Sequence, residues 1–362
     1  MALALVAALT AGAAPTSGAA TNWTASGFGF GHGVGMSQWG AYGYAKHGAS
    51  HKDILLHYYT GASLGQTTAG KIRVLLLAGA PSVKFFGAKS ACGKTLNPAK
   101  GYKAARSGSA VLLRRKRKTL ANCGSLLSAR GGGHLSLPAK GRTYRGGLEV
   151  RPAAIGGLNA INRVGLEQYV RGVVPNESPS SWPGAALRAQ AIAARSYVLA
   201  TRTGGISDVY DDTRSQVYGG RGTETAPTND AVAATAGTVV KYGGAVAATF
   251  FFSSSGGQTE NVEFGMPGAS PQPYLKAVDD PYDGSAPLHS WTRSISDAKM
   301  QAALGGLVPG SLQSIEVTQT GISPRIVKAK LHGSSGDATV SGATIRSRLG
   351  LPSSWVRFTP PS

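Results

Sequence analysis

Between Gly27 and Gly35 every second residue is glycine, in the run Gly27-Phe28-Gly29-Phe30-Gly31-His32-Gly33-Val34-Gly35-Met36-Ser37-Gln38-Trp39-Gly40-Ala41. Glycine loses backbone entropy on folding and packs no side chain, so an ordinary strand would not use it at this spacing. The alternation implies a backbone that something approaches closely, either a ligand or another strand. His32 sits inside the run, and Ser37, Gln38 and Trp39 follow it. A bare backbone beside a titratable ring, a hydroxyl, an amide and an indole suggests a site for a polar ligand.

The 362 residues suffice for one large or two ordinary domains, and 42% hydrophobic residues with 51 glycines describe a folded chain rich in strands and turns. The net charge of +20 is unevenly spread: Lys71 to Leu148 holds seventeen Lys and Arg and no Asp or Glu. Such a stretch seeks polyanions, either nucleic acid or an acidic cell envelope. The apolar run Ala2–Leu9 and the small residues after it read as a secretory signal within residues 1–20, without a charged leading segment. A poorly ordered tail is the plainer alternative. No other apolar run approaches the ~20 residues that span a bilayer. In an exported protein, Cys92 and Cys123 are expected to form a disulfide. It would close a loop of about thirty residues and contribute ~3–4 kcal/mol. Two buried thiols are the alternative.

Along the chain, Asp53 is expected to open a short helix that Gly61 closes. Ile72–Leu77, Leu148–Val150 and Leu158–Val164 read as strands. Residues 83–146 read as a basic, β-rich insertion, with Arg114–Lys118 on an exposed hairpin or loop. Pro183 opens the strongest helix, with Leu187, Ala191, Ala194 and Val198 on one face and Ala189, Ala193 and Ala200 keeping it slim. Val239–Tyr242 and Ala245–Phe252 read as a hairpin across Gly243-Gly244. The chain is expected to finish with a short helix and a strand near Leu351. The fold class is α+β.

Glu177 is the outstanding acid, expected directly before the Pro183 helix and stiffened by Pro175 and Pro179. A carboxyl beside an apolar turn and Trp182 would have a raised pKa and act as a general acid near neutral pH. Capping the helix, or pairing with Arg171 or Arg188, would account for it equally. Gln190 and Tyr197 share a helix face with Arg195 nearby, and structural roles suit them as well as ligand binding. Gln216 and Tyr218 lie in a polar loop, and Ser254 lies at a strand end of the kind that lines grooves. His47, His51 and His57 lack the Cys or acidic partners of a zinc site. Gly-x-Ser-x-Gly is absent.

Several of these segments together resemble the SpoIID/LytB family, the stage II sporulation protein D and amidase-enhancer domain. They are Gly31–Ala41, Ile54-Leu55 with Tyr58–Gly61, Leu166–Glu177, Ala186–Tyr197, Gln216–Tyr218, Ala233–Gly237 and Phe251–Gly257. The resemblance covers most of residues 27–362 outside the basic insertion. It implies a secreted protein of the bacterial cell envelope that acts on peptidoglycan glycan strands. Sporulation members are lytic transglycosylases whose catalytic glutamate matches Glu177, and other members enhance a cell-wall amidase without catalysis. His32, Ser37, Gln38, Gln190, Arg195, Tyr197, Gln216, Tyr218 and Ser254 become the candidate substrate contacts. The basic region suggests anionic wall polymers as further partners, while a nucleic-acid reading rests on charge alone. Some members carry zinc-binding Cys and His beside the Gln-Val-Tyr motif. Here Ser215 precedes Gln216 and no His or Cys lies between His134 and His289, so no metal or other cofactor is implied. The motif order also departs from the family: the Gly-His-Gly-Val-Gly segment precedes the domain instead of following Leu349-Gly350-Leu351-Pro352-Ser353. A circular permutation explains both ends and requires the mature termini to lie close together.

Overall fold

A computed structural model describes residues 22–68 and 70–361. The expected signal segment, residues 1–20, lies outside the described residues. The architecture is α+β. One eleven-stranded sheet carries the body of the chain. Lys71–Ala80 pairs with Leu158–Gly165, which pairs with Gly147–Pro152 and then Leu127–Leu137. Beyond these, Ser82–Ala91, Tyr102–Ser107, Ala110–Arg115 and Lys118–Asn122 extend the sheet outward. The basic run turns over at Lys116, a hairpin tip with φ +52°. Cys92 and Cys123 are disulfide-bonded with their Cα atoms 5.3 Å apart. Val83, Phe85, Val111, Leu113 and Leu127 share one buried cluster with Ile72, Val74, Val170 and Val173, so the basic strands belong to the same core as the first strand and its covering helices.

Four helices position the site: α1 (Gln38–Lys46), α2 (His51–Tyr58), α3 (Leu166–Glu177) and α4 (Gly184–Thr201). α4 begins after Pro183, as expected, and is the centre of the molecule. Ala191, Ala194 and Val198 face the sheet core, while Ala189, Ile192 and Ala193 face the cluster built by Ile54, Leu55 and Tyr58 of α2. Only small side chains let one helix pack on two sides at short distance. α2 starts two residues earlier than expected. Ser50 is its cap, and Asp53 completes a reciprocal capping box from the third helical position.

Two other segments differ from the sequence reading. Leu166–Glu177 is itself a helix, with Pro175 in its last turn, so Glu177 ends α3 and does not precede α4. The expected hairpin across Gly243-Gly244 pairs only as far as Val246. Beyond it the chain is drawn to the glycine run, where Phe251–Phe252 pairs in parallel with Met36–Ser37. The C-terminal helix and strand form at Gly342–Leu349 and Val356–Thr359. Strand Asn22–Phe28 lies between Ser290–Ser296 and Val356–Thr359, with Thr24 opposite Thr359. The start of the described chain therefore sits beside its end, as a permuted order requires.

Because α4 is packed on both sides, Ala194→Leu should overpack the core and cost about 1–3 kcal/mol. Urea unfolding would show a lower midpoint with unchanged slope.

Candidate active site

Gly29, Gly31, Gly33 and Gly35 all have positive φ. The alternation therefore serves a backbone path that L side chains rarely follow. The same segment is held by hydrogen bonds from Phe30 N to Ser254 O (2.8 Å), Met36 N to Phe250 O (3.1 Å) and Trp39 N to Ser253 O (3.0 Å). A Cβ on Gly33 would stand 2.6 Å from Arg325 Nε, and one on Gly31 would stand 2.6 Å from Phe252 Cβ. What comes close to the bare backbone is protein. This corrects the ligand reading of the glycines, although Gly31 and the intervening Phe30 and His32 do line a cleft.

The cleft has a volume of about 480 Å³ and is walled by Gln38, Glu177, Tyr197, Thr213, Ser215 and Val217, opposite Phe30, His32 and Phe250–Ser253. Glu177 is its one carboxylate. The Val217 N–H donates to Oε1 at 2.8 Å, and Gln38 Nε2 donates to Oε2 at 3.4 Å. Burial pushes the Glu177 pKa above the usual carboxylate range, against those two hydrogen bonds, which favour the ionised form. Its place at the C-terminal end of α3, where the helix dipole is negative, works in the same direction as burial. No ion pair with Arg171 or Arg188 forms among the described residues.

Gln38 is fixed from both ends. It is the first residue of α1, whose cap is Ser37: Oγ accepts from Gly40 N and donates to Asp283 Oδ1, both at 3.0 Å. Its amide also donates to Gln190 Oε1 (3.4 Å), which accepts from Ser178 Oγ as well. Gln190 is buried and orients Gln38; it is not a cleft-lining residue. On the facing wall, burial beside Arg346 and Arg325 holds His32 down to about 3, so the ring is neutral. Val34 N donates to its Nδ1 at 3.0 Å, leaving the proton on Nε2.

Of the expected contacts, His32, Gln38 and Tyr197 therefore share the cleft with Glu177. The other six, Gln190 among them, do not. Ser37 is fully buried as a helix cap. Arg195, also fully buried, makes a two-pronged pair with Glu167 (2.9 and 2.7 Å) and donates to Thr238 O, so it is a core brace. Gln216 accepts from Tyr169 OH and donates to Ala194 O, which sets the turn that delivers Val217 N–H to Glu177. Tyr218 stacks on Tyr169 and donates to Asn162. Ser254 is buried behind Ser253, whose side of the strand meets the cleft. Residues the sequence reading missed include Phe30, Thr213, Ser215, Val217, Phe250 and Met266. Each neighbours a singled-out residue or carries no chemistry of its own except Met266, which the chain path alone brings in. His47 and His57 are hydrogen-bonded to backbone carbonyls of Gly43 and Asp279. Among the described residues no group of three His, Cys, Asp or Glu is arranged to hold a metal.

Residues 154–242, which include Glu177, α4 and Gln216–Tyr218, match the family model for stage II sporulation protein, SpoIID. The chain is 32% identical over 212 residues to stage II sporulation protein D of Bacillus subtilis (strain 168), covering 54% of this chain and 60% of that protein. It is 41% identical over 131 residues to the amidase enhancer of the same organism, covering 36% of this chain and 17% of that protein. These matches support a SpoIID/LytB-family domain around Glu177. The chain thus spans less than two thirds of the length of these relatives. The glycine run lies outside the matched SpoIID window, yet the fold returns it to the side of Glu177.

The two reasons for glycine are separable. Gly33 and Gly48 both have positive φ (86° and 87°), but nothing lies within 4 Å of a Cβ on Gly48. Gly48→Ala should cost about 1 kcal/mol from backbone strain. Gly33→Ala should cost more by the displacement of Arg325, read as the difference in unfolding free energy.

Proposed function

We propose that this chain is a secreted, envelope-localised lytic transglycosylase that cleaves the MurNAc–GlcNAc bond of peptidoglycan with Glu177 as the single acid and base. The observation that carries this reading is one carboxyl, held above its ordinary pKa, alone among the residues lining a cleft. Hydrolases of glycosides ordinarily need two placed carboxyl groups. An intramolecular displacement needs one. Protonated Glu177 gives its proton to the departing glycosidic oxygen as the bond to the anomeric carbon breaks. The resulting carboxylate takes the proton of the muramyl C6 hydroxyl as that oxygen attacks the same carbon, leaving a 1,6-anhydro end and a re-protonated acid. The Val217 N–H and Gln38 amide hold the carboxylate during the interval when it is charged. Trp39, Tyr42 and Trp182, mutually packed at 5.1–5.4 Å beside Gln38, offer rings on which a sugar face can stack. Export is supported by the disulfide, which belongs to oxidising compartments, and no helix among the described residues is long and apolar enough to cross a membrane.

Purified protein with denuded glycan strands should release anhydro-muramyl products, and Glu177→Gln should release none by mass analysis. Because the folded state binds the Glu177 proton more tightly than the unfolded one, that group's stability contribution is present below the unfolded carboxylate pKa and is lost as pH rises through the folded value. Glu177→Gln should therefore unfold at the same or a higher temperature at pH 7, separating lost chemistry from lost fold. The acid form is the one needed first, so kcat/KM should fall as pH rises through the raised pKa. Gln38→Ala, by removing a bond to the ionised form, should move that limb to higher pH. Release of equal product by Glu177→Gln would sink this reading.

The stretch 41% identical to the amidase enhancer favours a second reading, a non-catalytic wall protein that raises the rate of a partner amidase. Under it, adding Glu177→Gln protein would stimulate the amidase as well as wild type does.

A further inference from the structure

We propose that the solvent face of the large sheet carries a second binding site, a basic trough that takes a polyanionic phosphodiester polymer. It goes beyond the transglycosylase reading and does not depend on Glu177. The strand register builds it. Arg130 lies opposite Gly147, Gly147 opposite Arg163, and Arg130 on its other side opposite Ser90. Directly opposed residues of neighbouring strands face the same side of a sheet, so the two arginines flank a position that has no side chain. Strands lie about 4.8 Å apart, which sets the two arginine Cα atoms roughly 10 Å apart across the gap.

That gap is a trough of about 500 Å³, lined by Lys71, Ser128, Arg130, Gly147, Glu149 and Arg163 among others. Through Ser128 and Arg130 it continues into a groove of about 380 Å³ that adds Lys94. Lys71, Lys94, Arg130 and Arg163 are exposed. The one carboxylate lining it, Glu149, is 6% exposed and lies against Arg151 (3.4 Å) and Arg163 (3.7 Å), so it orders those guanidinium groups more than it cancels them. Arg73, next in the row, is taken by Asp208 at 2.9 Å. Gly147 has no positive φ to demand glycine. A Cβ there would stand 3.2 Å from Ala129 O, and the missing side chain also leaves room between two cations.

The occupant follows from what lines the trough and what does not. Arginine pairs with phosphate through two parallel N–H bonds, and several in a row suit a repeating phosphate. None of the lining residues is aromatic. Single-stranded nucleic acid is ordinarily held by bases stacked on aromatic rings, and this trough offers none. A phosphate polymer without bases, of the kind that decorates a cell wall, fits the row. A neutral glycan does not.

The test uses the full chain and fluorescent poly(glycerol phosphate) of defined length, read by anisotropy over a range of salt. Wild type should bind, with affinity falling steeply as salt rises. Arg130→Ala/Arg163→Ala should weaken binding at least tenfold and reduce the slope of log affinity against log salt by about one to two. Gly147→Asp, which sets a carboxylate in the gap, should weaken binding to a similar extent and decides the matter if the double variant does not fold. Both variants should cleave polymer-free glycan strands as wild type does. Glu177→Gln should bind the polymer unchanged, so failure of this site and failure of the cleft are told apart. Wild-type affinity in a folded trough variant, or tighter binding of oligothymidylate than of poly(glycerol phosphate), would overturn the proposal.

Discussion

Asp283 is fully buried and accepts four hydrogen bonds: from Ser37 Oγ, from the Ser255 and Gly256 backbone N–H groups, and from His289 Nδ1. Burying a carboxylate is costly without such partners. With them it ties together three stretches far apart in sequence: the end of the glycine run, the turn after Phe252 and the loop before the Ser290 strand. Its neighbour Asp280, lifted to about 6 by burial and by the charge of Asp283, accepts from Tyr58 OH of α2. The two acids anchor α1 and α2 to a segment more than two hundred residues away.

The cleft inherits its geometry from that anchor. Asp283 holds Ser37, Ser37 starts α1, and the first residue of α1 is Gln38, whose amide reaches Glu177. On the other side, Arg325 is buried beneath Gly33 and donates to the Gln258 and Ser255 carbonyls and to Ser323, which in turn donates to Glu260. The glycine run is therefore clamped between a buried acid and a buried base, and its φ values follow from fitting between them. Its side chains that remain free, Phe30 and His32, are turned toward Glu177. Burial then works against charge on both Glu177 and His32, raising the pKa of the first and lowering that of the second.

Local pattern was legible where one residue type answers to one physical cause. The slim face of α4, the strands around Val74 and Ile161 and the disulfide could all be read along the chain. So could Glu177, with His32 and Gln38 as its neighbours, through motif resemblance. What could not be read was direction. Arg195, Gln216 and Tyr218 belong to the same motifs, yet their side chains point into the core, where each satisfies a buried partner from another element. Motif membership does not distinguish a residue that meets the ligand from one that holds such a residue in place. Pro175 misled for a related reason: in the last turn of α3 its missing N–H costs one bond, and the helix closes regardless through Ser178 N to Val174 O.

Charge is placed on opposite sides of one hydrophobic layer. A carboxyl that must gain and lose a proton near neutral pH needs a site of low polarity without competing ions, since a nearby cation would hold it ionised. The strongly basic stretch from Lys71 to Leu148 would defeat that if it bordered the cleft. Two of its cations do reach the loop that carries Val217, where Lys140 is paired with Asp211 and Arg142 donates to the Tyr218 carbonyl, and the sheet turns the strand cations the other way. Alternate residues of the basic strands bury Val83, Phe85, Leu113 and Ala129 against the core that α3 and α4 cover, which leaves the charged alternates on the opposite, solvent face. Arg130 and Arg163 accordingly project away from the layer that holds Glu177. At physiological salt, charges separated by more than about 8 Å of solvent are largely screened. A chain of net charge +20 can thus keep an acid above its ordinary pKa while presenting a cationic face to its surroundings, because one hydrophobic layer lies between the two.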